Sequence, residues 1–282
     1  MGGRISFIDG DMCKGVRAMD LGLKGKVAIV AASSKGLGRA VAATLAREGA
    51  LVTINGREAA TLKATGDAIR AETGADLLEI VGDMRNPEDI QRLVDETVAK
   101  RGGLDIMICN AGGPPAGTFE SFPDDQAWLD AVNLNLMSTL RLSRAAIHHM
   151  KAGGGGSITN IVSTSVKQPI PNLVLSNTAR TGVIGLAKSL ALEYASQNIR
   201  VNSVCPGTTR TDRILNLSKL QAEGTGKSVD DVLAESAKAI PMGRIGEPQE
   251  FANVVAFIAS PAASYVTGVT ITVDGGSTKS TM

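Results

Sequence analysis

Aromatic residues are scarce in this chain: five Phe, two Tyr and one Trp, 3% of 282 residues. Histidine occurs twice, so few side chains can exchange a proton near neutral pH. Cysteine is also rare. Cys13, Cys109 and Cys205 have no metal-type spacing, and their odd number argues against a disulfide framework. A reduced, cytoplasmic protein with no metal centre is expected. No apolar run reaches the roughly 18 residues that a membrane-spanning helix needs. No sign of charge dominates: 29 Lys+Arg against 28 Asp+Glu leave +1, too little for a basic face that binds nucleic acid or an anionic membrane. What is present, 43% hydrophobic and 20% charged residues, describes a globular chain long enough for one large α/β domain.

The opening "MGGRISFIDGDMCKGVRA" has no apolar core of export type and carries two acidic residues. Residues 1–18 read as a flexible leader or an upstream start, ahead of a domain over 19–282. From there, short β-branched runs alternate with longer helical patterns. "KVAIVAA" precedes a helix from about Gly36, and "LVTIN" precedes one rich in Ala, Leu and Lys. "LLEIVGD", "LDIMICNAG", "SITNIVS", "IRVNSVCPG" and "VTITVDGG" follow. Seven strands joined by crossover helices predict a Rossmann-type, doubly wound parallel sheet, with its ligand at the carboxyl ends of the strands. His148 and His149 fall near the end of a helix that begins near Asp124, and read as solvated helix-end residues.

The first strand–helix turn, "AASSKGLGRA", places Ser33, Ser34, Lys35, Gly36, Leu37 and Gly38 where a dinucleotide phosphate loop belongs. Glycines there let backbone N–H groups approach a phosphate. A tight turn without a ligand is the alternative. The second strand ends "TINGRE", with no carboxylate before Glu58 to accept from a ribose 2′-OH. Arg57 and Lys35 would instead meet a 2′-phosphate, so NADP(H) is expected over NAD(H). Two solvated surface cations are the alternative.

Several segments in order resemble the short-chain dehydrogenase/reductase family, in particular its ketoacyl-carrier-protein-reductase-like members, over about residues 19–277. "AASSKGLG" is similar to the family's TGxxxGxG loop, with Ala31 and Ala32 in place of its Thr and first Gly. "GDMRNPED" and "CNAGG" resemble the family's adenine segment and NAG motif. The resemblance implies cofactor contacts from Asp83, Met84, Asn110, Ala111 and Gly112. It also implies a catalytic Asn135 in a kinked helix, a catalytic Ser163, and Pro206, Gly207 and Thr211 beside the nicotinamide. The C-terminal "GRIGEPQEFANVVAFIASPAASYVTGVTITVDGG" resembles the family's subunit interface, which implies a homo-oligomer, a tetramer in preference to a dimer.

Ungapped alignment of "LVLSNTARTGVIGLAKSLALEYA" with the family's Y-x-x-x-K helix puts Ser176 at the Tyr position and Arg180 at the Lys position. That pair cannot supply the usual acid, because a serine hydroxyl is far less acidic than a phenol and Arg180 does not release a proton at working pH. Tyr194 lies about 27 Å along the same helix at 1.5 Å per residue, and Tyr265 lies in the lead-in to the last strand. Lys167 follows the serine segment and is a candidate acid, an ordinary loop lysine being the alternative. Ser163, Thr164 and Ser165 can polarise a carbonyl while water delivers the proton, about 10²–10⁴-fold slower than with a positioned acid. Three functions stay open: an atypical NADP(H)-dependent oxidoreductase on a carbonyl/alcohol pair, a cofactor-binding homologue without turnover, and a lyase or isomerase with Arg180 as an anion clamp. Residues 210–240 are the expected substrate lid, and 112–122 with Pro114 and Pro115 a stiff pocket wall. Arg210 and Arg213 are candidates for receiving a carboxylate or phosphate. The substrate itself is not named by the residues.

Overall fold

The computed structural model describes residues 19–281. The expected leader, 1–18, lies outside the described residues. Seven strands, β1 (Val27–Val30), β2 (Leu51–Gly56), β3 (Leu78–Val81), β4 (Ile106–Cys109), β5 (Gly156–Ile161), β6 (Ile199–Pro206) and β7 (Thr270–Val273), form one sheet in the order β3-β2-β1-β4-β5-β6-β7. Every pairing is parallel. The chain reverses direction across the sheet between β1 and β4, and the crevice there is where such sheets bind ligands.

Period-two burial explains β1. Ala28 and Val30 face a core with Val52, Ile54 and the helices α1 (Gly36–Arg47) and α9 (Pro248–Ala259). Val27, Ile29 and Ala31 face the other core, with Met107 and residues of α3 (Pro87–Arg101) and α5 (Ser138–Ala152). A strand covered on both faces is apolar at every position, and VAIV is. Turn chemistry punctuates the helices. α2 (Ala59–Thr73) stops at Gly74 (φ 70°) and α3 at Gly102 (φ 84°), both left-handed. Asn86 caps α3 by accepting from Glu88 N–H at 2.9 Å, with Pro87 at the first helical position.

The helix expected from Asp124 is α4 (Asp125–Val132) running through one π turn, Asn133–Met137, into α5. The π turn is the kink that the family resemblance implies at Asn135. The two histidines lie near the end of α5 as expected, His148 exposed and His149 partly so, and both also line a cavity of about 320 Å³ between α3 and α5, with Arg141, Arg144, Pro87 and Gln91. The cause is helical spacing, since 141, 144 and 148 share the face turned toward α3. Beyond lie α6 (Val174–Tyr194) and, before α9, α7 (Asp212–Thr225) and α8 (Val229–Lys238), the helix pair anticipated for 210–240.

Candidate active site

The turn after β1 is shaped by Asn55, a buried residue for which the sequence suggested no role. Its Oδ1 accepts from Ala32 N–H at 3.1 Å, and its Nδ2 donates to Ile80 O and Gly82 O at 3.0 and 3.1 Å. Ser33 N–H donates to Asn55 O at 2.7 Å while Ser33 Oγ donates to Val30 O at 2.7 Å. Ser33 is thus a buried structural link. Ala32 sits at φ +45°, in the left-handed region. Asn110 reaches over from the end of β4 and donates to Ala31 O and Ala32 O at 3.2 and 3.0 Å. A Cβ on Gly38 would lie 2.6 Å from Ala32 O and 2.8 Å from Asn110 Nδ2, so only glycine fits there. Gly36 is left-handed (φ +57°) and faces the Thr211 methyl. Lys35 is the N-cap of α1 but makes no capping bond, and no acid occupies the first turn. Among the described residues, no side chain accepts from the α1 amides around Leu37.

At the end of β2, Gly56 packs against Ser34, and the exposed Arg57 follows. Lys35 is exposed as well. Asp83 is engaged by Arg85, whose Nη2 lies 2.6 Å from Oδ2. That hydrogen bond holds its carboxyl below the ordinary value, with Arg57 contributing a smaller share of the attraction. Met84 is buried among core residues (4% exposed) rather than presented at a surface.

Gly112 O joins two further elements, accepting from Asn135 Nδ2 and from Arg180 Nη2, both at 3.3 Å. Ala111 stands between Asn110 and Gly112 and is partly buried. Arg180 also donates through Nη1 to Val162 O at 2.8 Å and, more weakly, to Ile161 O at 3.4 Å. Burial pushes its pKa down to about 10, and the like charge of Arg213 adds to the effect. Ser163 Oγ accepts from Ser165 N–H at 3.1 Å, which leaves the hydroxyl proton free to donate. Ser176, on α6 one turn before Arg180, is 5% exposed. Lys167 follows the short 3₁₀ turn Thr164–Val166. Its charge and that of Arg180 both reach the Cys205 thiol, which burial nonetheless raises to about 11. Pro206 closes β6, and Gly207 packs where a Cβ would meet Asp274.

The wall and the lid meet through Arg213 on α7. Its guanidinium lies flat on Gly113 and donates to Gly113 O and Pro114 O, each at 3.4 Å. Gly117 N–H donates to Asn172 O at 2.7 Å, which ties the 112–122 segment to the segment that leads into α6. Arg210, expected beside Arg213, instead pairs with Glu247 at 3.0 Å, because the backbone bridge from Thr209 to Gly246 turns it away. Tyr194 ends α6 under Lys151, and Tyr265 is fully exposed. Gly113 and Gly117 carried no distinguishing sequence signal. Asn55 did: a polar residue in an otherwise apolar strand needs buried partners.

A glycine-shaped turn after β1, clamped from β4 and facing the ends of β5 and β6, defines a nucleotide-binding α/β protein. The family model described as Enoyl-(Acyl carrier protein) reductase matches residues 31–278. Dehydrogenase/reductase SDR family member 4 of Bos taurus is 37% identical over 257 residues, 90% of this chain and 88% of that protein. A 3-oxoacyl-(acyl-carrier-protein) reductase of Vibrio cholerae is 36% identical, over 91% of this chain and 98% of its own. Among solved structures, L-sorbose reductase of Gluconobacter frateurii, complexed with NADPH and L-sorbose, has a TM-score of 0.88 and 32% identity, covering 93% of this chain and all of that one. This chain belongs to the short-chain dehydrogenase/reductase family.

Proposed function

We propose that the protein is an NADP(H)-dependent reductase of carbonyl compounds whose active-site helix carries Ser176 and Arg180 where the family's motif has Tyr and Lys. The observation that carries this reading is the turn after β1. Gly38 admits no Cβ, and the start of α1 has no capping side chain, so the turn suits a pyrophosphate. The end of β2 offers Gly56 and Arg57 with no carboxylate, which favours a 2′-phosphate over a bare 2′-OH. Lys35, Arg57 and the α1 amides would hold the phosphates, with Asn110, Ala111, Pro206 and Thr211 along the rest of the groove. NADPH, when bound, supplies hydride.

Reduction of a carbonyl leaves an oxyanion that must gain a proton. Ser163 and Ser176 donate hydrogen bonds to the carbonyl oxygen and polarise it. Arg180 keeps its proton and supplies fixed positive charge. Water delivers the proton, and Lys167 is the alternative donor. A second reading, cofactor binding without turnover, draws on one observation: Tyr194 stands at the far end of α6 from Ser176, and Tyr265 is fully exposed.

The test is a fluorescence titration with NADPH and NADH, followed by NADPH oxidation across a carbonyl panel. Tighter NADPH binding with turnover supports the reductase, and Lys167→Ala then identifies the donor. Binding without oxidation of any carbonyl leaves the second reading. A tetramer is part of the proposal, read by light scattering.

A further inference from the structure

Arg180 and Arg213 meet the same three-residue stretch from opposite sides. Gly112 O accepts from Arg180, and Gly113 O and Pro114 O accept from Arg213. Among the described residues, all the hydrogen-bond partners of both guanidiniums are backbone carbonyls. Backbone carbonyls satisfy the donors but leave the charge uncompensated. Arg180 is 9% exposed, so water screens it little. Lys167 adds a third positive charge to the neighbourhood. Asp274, the carboxylate that acts on Cys205 together with Lys167 and Arg180, is committed to the amides of Gly276 and Thr278 at 3.0 and 2.8 Å.

We infer that the substrate carries an anionic group, a carboxylate or a phosphate, bound by Arg213 with Arg180 as the second positive charge. The inference rests on the reductase reading for its placement in the substrate pocket. Arg213 is the accessible partner. It is exposed, starts the lid helix α7, and lies on Gly113 only through long 3.4 Å bonds. An arriving anion replaces these long bonds to neutral carbonyls with ion-paired ones and holds the lid against the wall. Although the residue as a whole is exposed, the guanidinium end of Arg213 is partly desolvated against Gly113, which lowers its pKa, as full burial does for Arg180, and an anion between them offsets both. Arginine presents a planar fork that fits a carboxylate or phosphate edge, which lysine does not.

The probes are charge-paired carbonyl compounds: pyruvate with pyruvamide, and dihydroxyacetone phosphate with dihydroxyacetone. Their binding to the NADPH-saturated protein is measured by calorimetry, for the wild type, Arg213→Leu and Arg213→Lys. The anionic member of at least one pair is expected to bind about tenfold tighter, a difference of about 1.4 kcal/mol. Arg213→Leu should abolish that preference, Arg213→Lys should retain part of it, and NADPH affinity should stay within about threefold. The pair that responds distinguishes carboxylate from phosphate. Equal binding within both pairs, or a preference that survives Arg213→Leu, overturns the inference. A loss of NADPH affinity in Arg213→Leu overturns it as well, because the anion is then the cofactor's own phosphate. NADPH oxidation is followed in parallel. Charge-selective binding without oxidation leaves the inference standing while the reductase reading falls. Oxidation by neutral and anionic probes alike does the reverse.

Discussion

Ala32 allows a signed test of the cofactor turn. It occupies φ +45°, where an L-residue costs about 1–2 kcal/mol relative to the right-handed region. Ala32→Gly removes that cost but gives the unfolded chain more freedom, worth about 0.4–1 kcal/mol in the opposite direction. The balance is a stabilisation of about 0.5–1 kcal/mol. The bonds that hold the residue, Ala32 N–H to Asn55 Oδ1 and Asn110 Nδ2 to Ala32 O, use only its backbone, so glycine keeps them. For a chain of this size the gain is about 1–3 °C in Tm.

The neighbouring Ala31→Gly is the control. Ala31 is fully buried and absent from the positive-φ residues, so its replacement loses a buried methyl and rigidity, about 1–2 kcal/mol. Urea titration of the two variants, with NADPH affinity measured on each, decides the matter. Stabilisation by Ala32→Gly and destabilisation by Ala31→Gly is the expected result. A destabilised Ala32→Gly refutes the argument, since the alanine would then be held by packing and not strained by its backbone.

Gly38→Ala has to move Ala32 O or Asn110, so it should cost about 1–3 kcal/mol of stability, and the displaced turn should bind NADPH at least about tenfold more weakly. Arg57→Ala should weaken NADPH by about 10–100-fold and leave NADH nearly unchanged, as the loss of one charge-assisted contact predicts in a fluorescence titration. Phe251→Ala, at 1% exposure between α9 and α1, should destabilise by about 3–5 kcal/mol in urea. Glu250 accepts from Arg244 and from Glu247 N–H, which lowers its pKa from 4.5 to about 2. Because the folded pKa is depressed, its contribution is present above pH 4.5 and disappears as pH falls through 2. The Tm difference between wild type and Glu250→Gln should therefore be constant above pH 4.5 and shrink below it.

The sheet was legible because the central strands β1 and β4 are buried at every position and apolar throughout, while helix ends carry Gly74, Gly102 or Asn86. The glycine turn and the helix pair at 212–238 were legible for the same local reasons. Long-range polar pairing was not. Arg210 and Arg213 look equivalent in "TTRTDR", yet one finds Glu247 and the other finds carbonyls from a segment about a hundred residues earlier. Asn55 reads as a strand-end polar residue, and its role depends on Ala32, Ile80 and Gly82 converging on it. Nor did spacing alone show that the exposed His148 would also border α3.

The arginines of this nearly neutral chain separate by the kind of partner they keep. Arg39, Arg70, Arg85, Arg92, Arg101, Arg210 and Arg244 each pair with a carboxylate. Arg200 is buried with carbonyl partners only, but these include Ile258 O, Ala259 O and Ser260 O at the end of α9, where the helix dipole supplies negative potential. Its charge is therefore accounted for by structure. Among the described residues, Arg180 and Arg213 also bond only carbonyls, but those of Ile161, Val162, Gly112, Gly113 and Pro114 lie at a strand end and in a loop, where no dipole is summed. In a chain with +1 net charge, uncompensated cations gathered at the carboxyl ends of β4 and β5 are placed for a ligand's charge. Replacing Arg180 with Leu would strip the buried guanidinium from Ile161 O and Val162 O at the end of β5 and leave Gly112 O with Asn135 alone, whereas Arg213→Leu strips only two long bonds. That contrast is why Arg213 carries the test of charge selectivity while Arg180 is expected to fail by unfolding first.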